Sequence, residues 1–216
     1  MQLSVRTWRH YSPCQQLAKR SAQPTRQTER EFLRDNMNPH DELNSLLQLF
    51  PNHAKLIENA EHVPAALLPK NYRQMLVHDH HMTVAMEDYY DCSVDVKILA
   101  SRQDNGQYCR KILLTKQGTD DAVQFGIVRF NFSYVTDEVR REILAGEIPL
   151  GRVLINHNVL RHVDLGALLR IMVGPRLSEL LQMNEGDITY GRLATIFCNQ
   201  KPAVDLLEIT IPLSEE

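Results

Sequence analysis

The sequence predicts an α+β fold, a mostly antiparallel β-sheet covered by helices. Three observations predict it. From Ser93 onward, apolar and polar residues alternate with period two in several stretches, as in half-buried strands. The strands come as hairpins, marked by Asn105-Gly106 and by the turn Asn199-Gln200-Lys201-Pro202. Helical segments stand between hairpin groups, whereas a doubly wound parallel sheet would alternate them with single strands.

Residues 1–37 are rich in Gln, Arg, Ser and Thr and hold no sustained period, so they read as a basic, poorly ordered N-terminal arm before a single domain over 38–216. Asn38-Pro39 is an N-cap followed by Pro at the first helical position. That helix runs through Leu43, Leu46, Leu47, Leu49 and Phe50 and stops at Pro51. The stretch 52–68 is mixed and predicts no element. A helix covers Asn71 to His78. After the polar break Asp79-His80-His81, a second covers Met82 to Tyr90, with Met82, Met86 and Tyr89 on one face. Strands follow at Ser93–Leu99, Gln107–Thr115 and Val123–Phe132. Thr136 caps a helix that Gly146 ends. The segment Ile148–Arg152 reads as a turn into a short strand, Val153–Asn156. A helical stretch is expected over about 164–182. Strands at Tyr190–Cys198 and Ala203–Ile211 close the chain.

The chain has 216 residues, 43% hydrophobic and 24% charged, which excludes disordered and collagenous classes. No apolar run reaches the ~18 residues of a membrane span. The net charge of −3 lacks the basic excess of a nucleic-acid binder. Residues 1–28 carry five basic side chains and no acid, so the remainder is more acidic than the whole. The four cysteines, Cys14, Cys92, Cys109 and Cys198, form no C-x-x-C pair. That excludes zinc-ribbon and thioredoxin-like readings and fits a reducing, cytoplasmic setting. G-x-S-x-G, P-loop and G-x-G-x-x-G motifs are absent.

Two charged residues stand out. In the strand Tyr108–Leu114, Arg110 shares a face with Tyr108, Ile112 and Leu114. An inward guanidinium is costly unless it meets a carboxylate or a ligand anion. In the last strand, Glu208 shares a face with Val204, Leu206 and Thr210. A carboxylate in such surroundings has a raised pKa unless a cation offsets the effect. Two readings stay open: a buried Arg110–Glu208 ion pair that closes the core, or a pocket where Arg110 receives a substrate carboxylate and Glu208 assists proton movement or holds a hydroxyl. His78, His80 and His81 sit i, i+2, i+3 in a helix break. Without a metal-ligand motif they read as a solvated turn capping the Met82 helix, with no metal. Arg152 and Arg192 read equally as anion contacts or surface charges.

Four stretches of the chain resemble the chorismate pyruvate-lyases, the 4-hydroxybenzoate synthases, and most closely the branch of bacterial phenolic-lipid pathways. They are Leu68-Pro69 to Met82-Thr-Val-Ala-Met-Glu87, Tyr108-Cys-Arg110-Lys-Ile-Leu-Leu114, Glu147-Ile-Pro-Leu150-Gly-Arg152, and Tyr190-Gly-Arg192 with Lys201-Pro202 and Leu207-Glu208-Ile-Thr-Ile-Pro212. The better-known branch has an Arg after the Gly of the third strand, where this chain has Gly126-Ile127. The resemblance implies a chorismate lyase-like fold with an enclosed ligand pocket and no cofactor. It places substrate contacts on Met82, Arg110, Leu150 and Glu208, with Arg110 and Glu208 catalytic.

The implied reaction is cleavage of chorismate to 4-hydroxybenzoate and pyruvate. The ring proton beside the hydroxyl is lost, the ether breaks, and aromatisation drives the step. The protein has to hold the reactive conformer and stabilise charge on the departing enolpyruvate. A pocket gripping an aromatic carboxylate is expected to be product-inhibited. The rival reading is a non-catalytic small-anion binder related to the effector-binding domains of bacterial regulators. Residues 1–64 lack the helix-turn-helix spacing of a complete regulator.

Overall fold

The computed structural model describes residues 38–51 and 53–214. The expected arm over 1–37 lies outside the described residues. Six helices and seven strands are present among those described. The helices are α1 (Pro39–Leu47), α2 (Lys70–Leu76), α3 (Met82–Tyr90), α4 (Asp137–Ala145), α5 (Leu150–Asn156) and α6 (Pro175–Leu181). The strands are β1 (Ile57–His62), β2 (Val94–Asp104), β3 (Gln107–Lys116), β4 (Ala122–Phe130), β5 (Arg161–Val173), β6 (Ile188–Cys198) and β7 (Lys201–Thr210). They form one sheet in the order β1-β5-β6-β7-β4-β3-β2. Every neighbouring pair is antiparallel. The α+β antiparallel architecture is therefore as the sequence predicts. No helix among the described residues is long and apolar enough to cross a membrane.

Local sequence explains the hairpins. Asn105 and Gly106 both take positive φ, 47° and 80°, between β2 and β3, as a type I′ turn requires. Asn199 and Gln200 do the same between β6 and β7 at 52° and 64°. In α1, the Asn38 side chain accepts from the His40 and Asp41 N–H groups, satisfying donors the helix cannot. In α4, Thr136 Oγ1 accepts from Val139 N–H, and Gly146 closes the helix at φ 69°.

Three expectations need correction. Residues 161–173 are strand, not helix. β5 lies between β1 and β6 and is buried on much of both faces, so its run of Leu, Ile and Met hides the period of two. Helix starts only at Pro175, after Gly174, where a Cβ would approach Lys55 O to 2.7 Å. Residues 153–156 are helical, not strand. α5 buries Leu150, Val153 and Leu154, and this packed stripe outweighs the β preference of Val153 and Ile155. The mixed stretch 52–68 contains β1. Its Glu58, Asn59 and Glu61 read as loop, yet polar residues suit an edge strand.

Helices cover both sheet faces. α1 and α6 pack Leu43, Leu46 and Leu177 on one face, against Phe125, Ile127 and Leu207. α2 and α3 place Tyr72, Leu76 and Met86 over Ile112 and Leu114 on the other. α4 and α5 add Ile143 and Val153 over Val128 and Leu206. Fully buried side chains such as Phe125 and Ile127 contribute about 1.5–3 kcal/mol each.

Gly146 joins α4 to that layer. A Cβ there would strike the Ile98 Cδ1 methyl, in a left-handed conformation. Gly146→Ala is expected to cost about 1–2 kcal/mol of stability, seen as a lower urea midpoint at unchanged slope.

Candidate functional site

Strand register sets the floor of the site. Partners in antiparallel register share a face. Arg110, Val128, Leu206 and Ala194 form one row across β3, β4, β7 and β6. Ile112, Gly126, Glu208 and Arg192 form the next row, and Leu114, Gln124 and Thr210 a third. The roof comes from two helix starts, His81-Met82-Thr83 at α3 and Pro149-Leu150-Gly151 at α5. Floor and roof enclose a cavity of about 40 Å³.

The four residues singled out from sequence, Met82, Arg110, Leu150 and Glu208, all line this cavity. They come from four separate segments. The expected ring-sized pocket is corrected by its volume. It is close to the ~30 Å³ that one water occupies in the liquid, well below the ~300 Å³ at which ligand pockets begin. Gly151 sets this closeness, since a Cβ there would lie 2.9 Å from His81 Cβ and 3.0 Å from Thr83 Oγ1.

Arg110 is 1% exposed. Among the described residues, none of its three guanidinium nitrogens has a hydrogen-bond partner. Burial holds its pKa below the ordinary arginine value, and the Tyr108 phenol gives its charge partial support. An uncompensated buried charge costs several kcal/mol, against a total stability of about 5–15 kcal/mol for an ordinary domain. Gln124 adds a second unmet demand. It is 2% exposed, and its Oε1 has no partner among the described residues.

Glu208 does not pair with Arg110. Its Oε2 accepts from Arg192 Nε at 2.7 Å, and the two side chains are 11% and 1% exposed. Arg192 also donates to the carbonyls of Leu76, His78 and His80 at 3.2–3.3 Å. It is thus neither a surface charge nor a free anion contact. Arg152 pairs with Glu87 and joins α5 to α3. Arg129, the nearest basic residue on β4 to the family's Arg position, faces away from the cavity. Its Nε and Nη2 donate to Asp205 at 3.0 and 2.8 Å, and its Nη1 to Ser45 at 2.9 Å.

The histidine break is solvated at Asp79 and His80, as expected, but it does not cap α3. His81 is buried and gives α3 no side-chain cap. Its Nε2 accepts from Arg161 Nε at 2.9 Å. Burial first, then the Arg161 and Arg192 charges, lower its pKa to about 4. Burial and Arg192 lower that of His78 to about 4 as well. Its Nε2–H donates to Met75 O at 2.7 Å, and its Nδ1 accepts from His80 N–H at 3.2 Å. Among the described residues, no three His, Cys, Asp or Glu side chains converge as metal ligands. Beside the cavity lies a cleft of about 290 Å³, which shares His81 with it and includes Arg161 and His162. Arg161 is already bonded there, to His81 and to Val159 O.

Sequence reasoning missed Gln124, Thr83 and Gly151. Gln124 could have been found, because it is a lone polar residue on the face it shares with Gly126, Val128 and Phe130. The roof glycine carried no such signal.

No family model matches the chain, and no curated protein matches it. Solved structures with a similar shape include the ligand-binding domain of a proposed GntR-family transcriptional regulator from Bordetella bronchiseptica. It is 11% identical at a TM-score of 0.44, over 55% of this chain and 85% of that one. The C-terminal domain of the histidine utilization repressor from Pseudomonas syringae is 12% identical at 0.39, over 57% and 97%. A GntR-family regulator from Enterococcus faecalis is 10% identical at 0.39, over 56% and 99%. Likeness at this level identifies neither ligand nor activity.

Two expectations follow from the site. Removing the unpartnered charge, as in Arg110→Met, should raise unfolding free energy by about 1–4 kcal/mol in the absence of ligand. A lower urea midpoint instead would make Arg110 a structural residue. His81 has a folded-state pKa below its unfolded value of 6.5. As pH falls from 6.5 toward 4, the unfolded chain takes up the proton first, so stability is lost across that window. The stability advantage of wild type over His81→Gln should therefore shrink from pH 7 to pH 4 in urea titrations.

Proposed function

We propose that the cavity receives the carboxylate of a small cyclic acid on Arg110, and that the chain acts as a chorismate pyruvate-lyase. The observation that carries this reading is the buried guanidinium with no partner among the described residues. Such a group is tolerated where a ligand anion completes it. The convergence of Met82, Arg110, Leu150 and Glu208 on one cavity supports it further. The sequence resemblance picks the same four residues from distant segments.

The chemistry asks little of the protein beyond this. A proton leaves the hydroxyl-bearing ring carbon and the adjacent ether C–O bond breaks. The electron pair of the C–H bond completes the aromatic ring, and enolpyruvate departs and tautomerises to pyruvate. Arg110 holds a carboxylate and stabilises developing negative charge in a site of low dielectric. Met82 and Leu150 exclude water. Glu208, through the oxygen that Arg192 leaves free, orients the ring or assists the proton.

A second reading, binding without turnover, is favoured by one observation. Glu208 is already engaged by Arg192, which reduces its availability as a base. One assay separates the two. Chorismate is incubated with the protein while lactate dehydrogenase reports pyruvate and absorbance reports 4-hydroxybenzoate. Stoichiometric release of both is expected, with a loss of at least about a thousandfold in kcat/KM for Arg110→Ala at unchanged circular dichroism. Tight chorismate binding without either product would establish the second reading. Wild-type rates in Arg110→Ala would remove Arg110 from the site.

A further inference from the structure

Gln124 asks for something that Arg110 cannot provide. It lies on β4 opposite Leu114 and Thr210, while Arg110 lies on β3 opposite Val128. Their rows are four residues apart along β4, roughly 13 Å at strand spacing. Both side chains line the same cavity, and the row of Ile112, Gly126 and Glu208 runs between them. With the roof displaced, a ring carrying one group toward each end would lie between the two side chains.

The two ends differ in chemistry. Arg110 presents only donors, all unmatched among the described residues. Gln124 presents an acceptor, Oε1, unmatched in the same way and just as deeply buried. The other strong acceptor lining the cavity is Glu208, and Arg192 already occupies one of its oxygens. A buried acceptor carries a desolvation cost until a donor meets it. A ligand that satisfies both residues is therefore an acid at one end and a hydrogen-bond donor at the other.

We infer that Gln124 is a specificity-determining residue, which accepts a hydrogen bond from a ring hydroxyl lying opposite the carboxylate held by Arg110. The inference rests on the carboxylate reading of the cavity and deepens it. It assigns to Gln124 the hydroxyl recognition that the sequence had offered to Glu208. Within the substrate class already proposed, it makes Gln124 the residue that favours ring acids with a hydroxyl para to the carboxyl-bearing carbon over acids that lack the donor.

The test uses three size-graded probes, 4-hydroxybenzoate, 4-fluorobenzoate and benzoate, in calorimetric titrations of the full chain. Fluorine nearly matches the hydroxyl in size and donates nothing. Wild type should bind 4-hydroxybenzoate at least about tenfold more tightly than either other acid, as a desolvated acceptor left unpaired would require. Gln124→Leu and Gln124→Met should reduce that preference to about twofold or less, through a loss of 4-hydroxybenzoate affinity. Equal binding of all three probes by wild type would overturn the inference and leave the carboxylate site standing. So would a preference that survives in a folded Gln124 variant. Binding of none of them would overturn the carboxylate reading, and this inference with it. Should neither variant fold, the wild-type ratio of 4-hydroxybenzoate to 4-fluorobenzoate decides alone.

Discussion

Arg192 ties the floor of the site to its roof. One guanidinium edge grips Glu208 on β7, and the remaining nitrogens reach the carbonyls of Leu76, His78 and His80. Those carbonyls belong to the last residue of α2 and to the break that follows it, where no helix supplies their donors. Without Arg192, Glu208 would be a buried carboxylate with no cation, and three main-chain acceptors would lose their donors. A buried ion pair gains little over an apolar replacement, but breaking one by removing a single partner is severe. The position of Met82, which follows this break, therefore depends on a residue three strands away from Arg110.

Three arginines of one sheet differ in how they are completed, and the contrast points to a ligand. Arg192 and Arg110 are equally buried and lie on the same face. Arg192 has an acceptor for each of its nitrogens. Arg129, on the opposite face, is saturated by Asp205 and Ser45. The chain thus shows twice how it completes a guanidinium with its own atoms. Among the described residues nothing completes Arg110 in this way, and the same cavity holds the oxygen of Gln124, unmatched among them as well. Two complementary orphans in one small space point to a molecule with both functions more strongly than either would alone.

Much of this was legible in the sequence, and the failures share a cause. Alternation marked Arg110 and Glu208 because each interrupts an apolar face of a regular strand. The hairpin turns were legible because Asn-Gly chemistry is local. β5 was not, because burial on both faces removes the polar half of the pattern, leaving Leu165, Leu168, Leu169 and Met172 to mimic a helical stripe. The pairing of Glu208 was not, because register between β6 and β7 decides it, and alternation tells which face a residue occupies but not what lies opposite. His81 looked like a solvated cap for the same reason. Its partner, Arg161, lies eighty residues away.

The small volume of the cavity follows from how the roof is held. A ring does not fit in about 40 Å³, so any ring-sized acid has to displace α3 or α5. The two are fastened unequally. The segment leading into α3 is held by the buried Arg192 bonds and by Arg161 on His81. α5 is fastened to α3 by Arg152 and Glu87, whose side chains are 37% and 17% exposed. Water replaces much of what such a partly exposed pair loses, so its net worth is at most about 1 kcal/mol. Water cannot reach Arg192 without unpacking the core. The cheaper wall to move is therefore the first turn of α5, at Leu150 and Gly151, because Val153 and Leu154 further along are fully buried and anchor the rest of the helix. Opening there leaves Arg192 and Glu208 undisturbed and exposes Arg110 to an incoming anion. Closing again removes water from that contact and strengthens it.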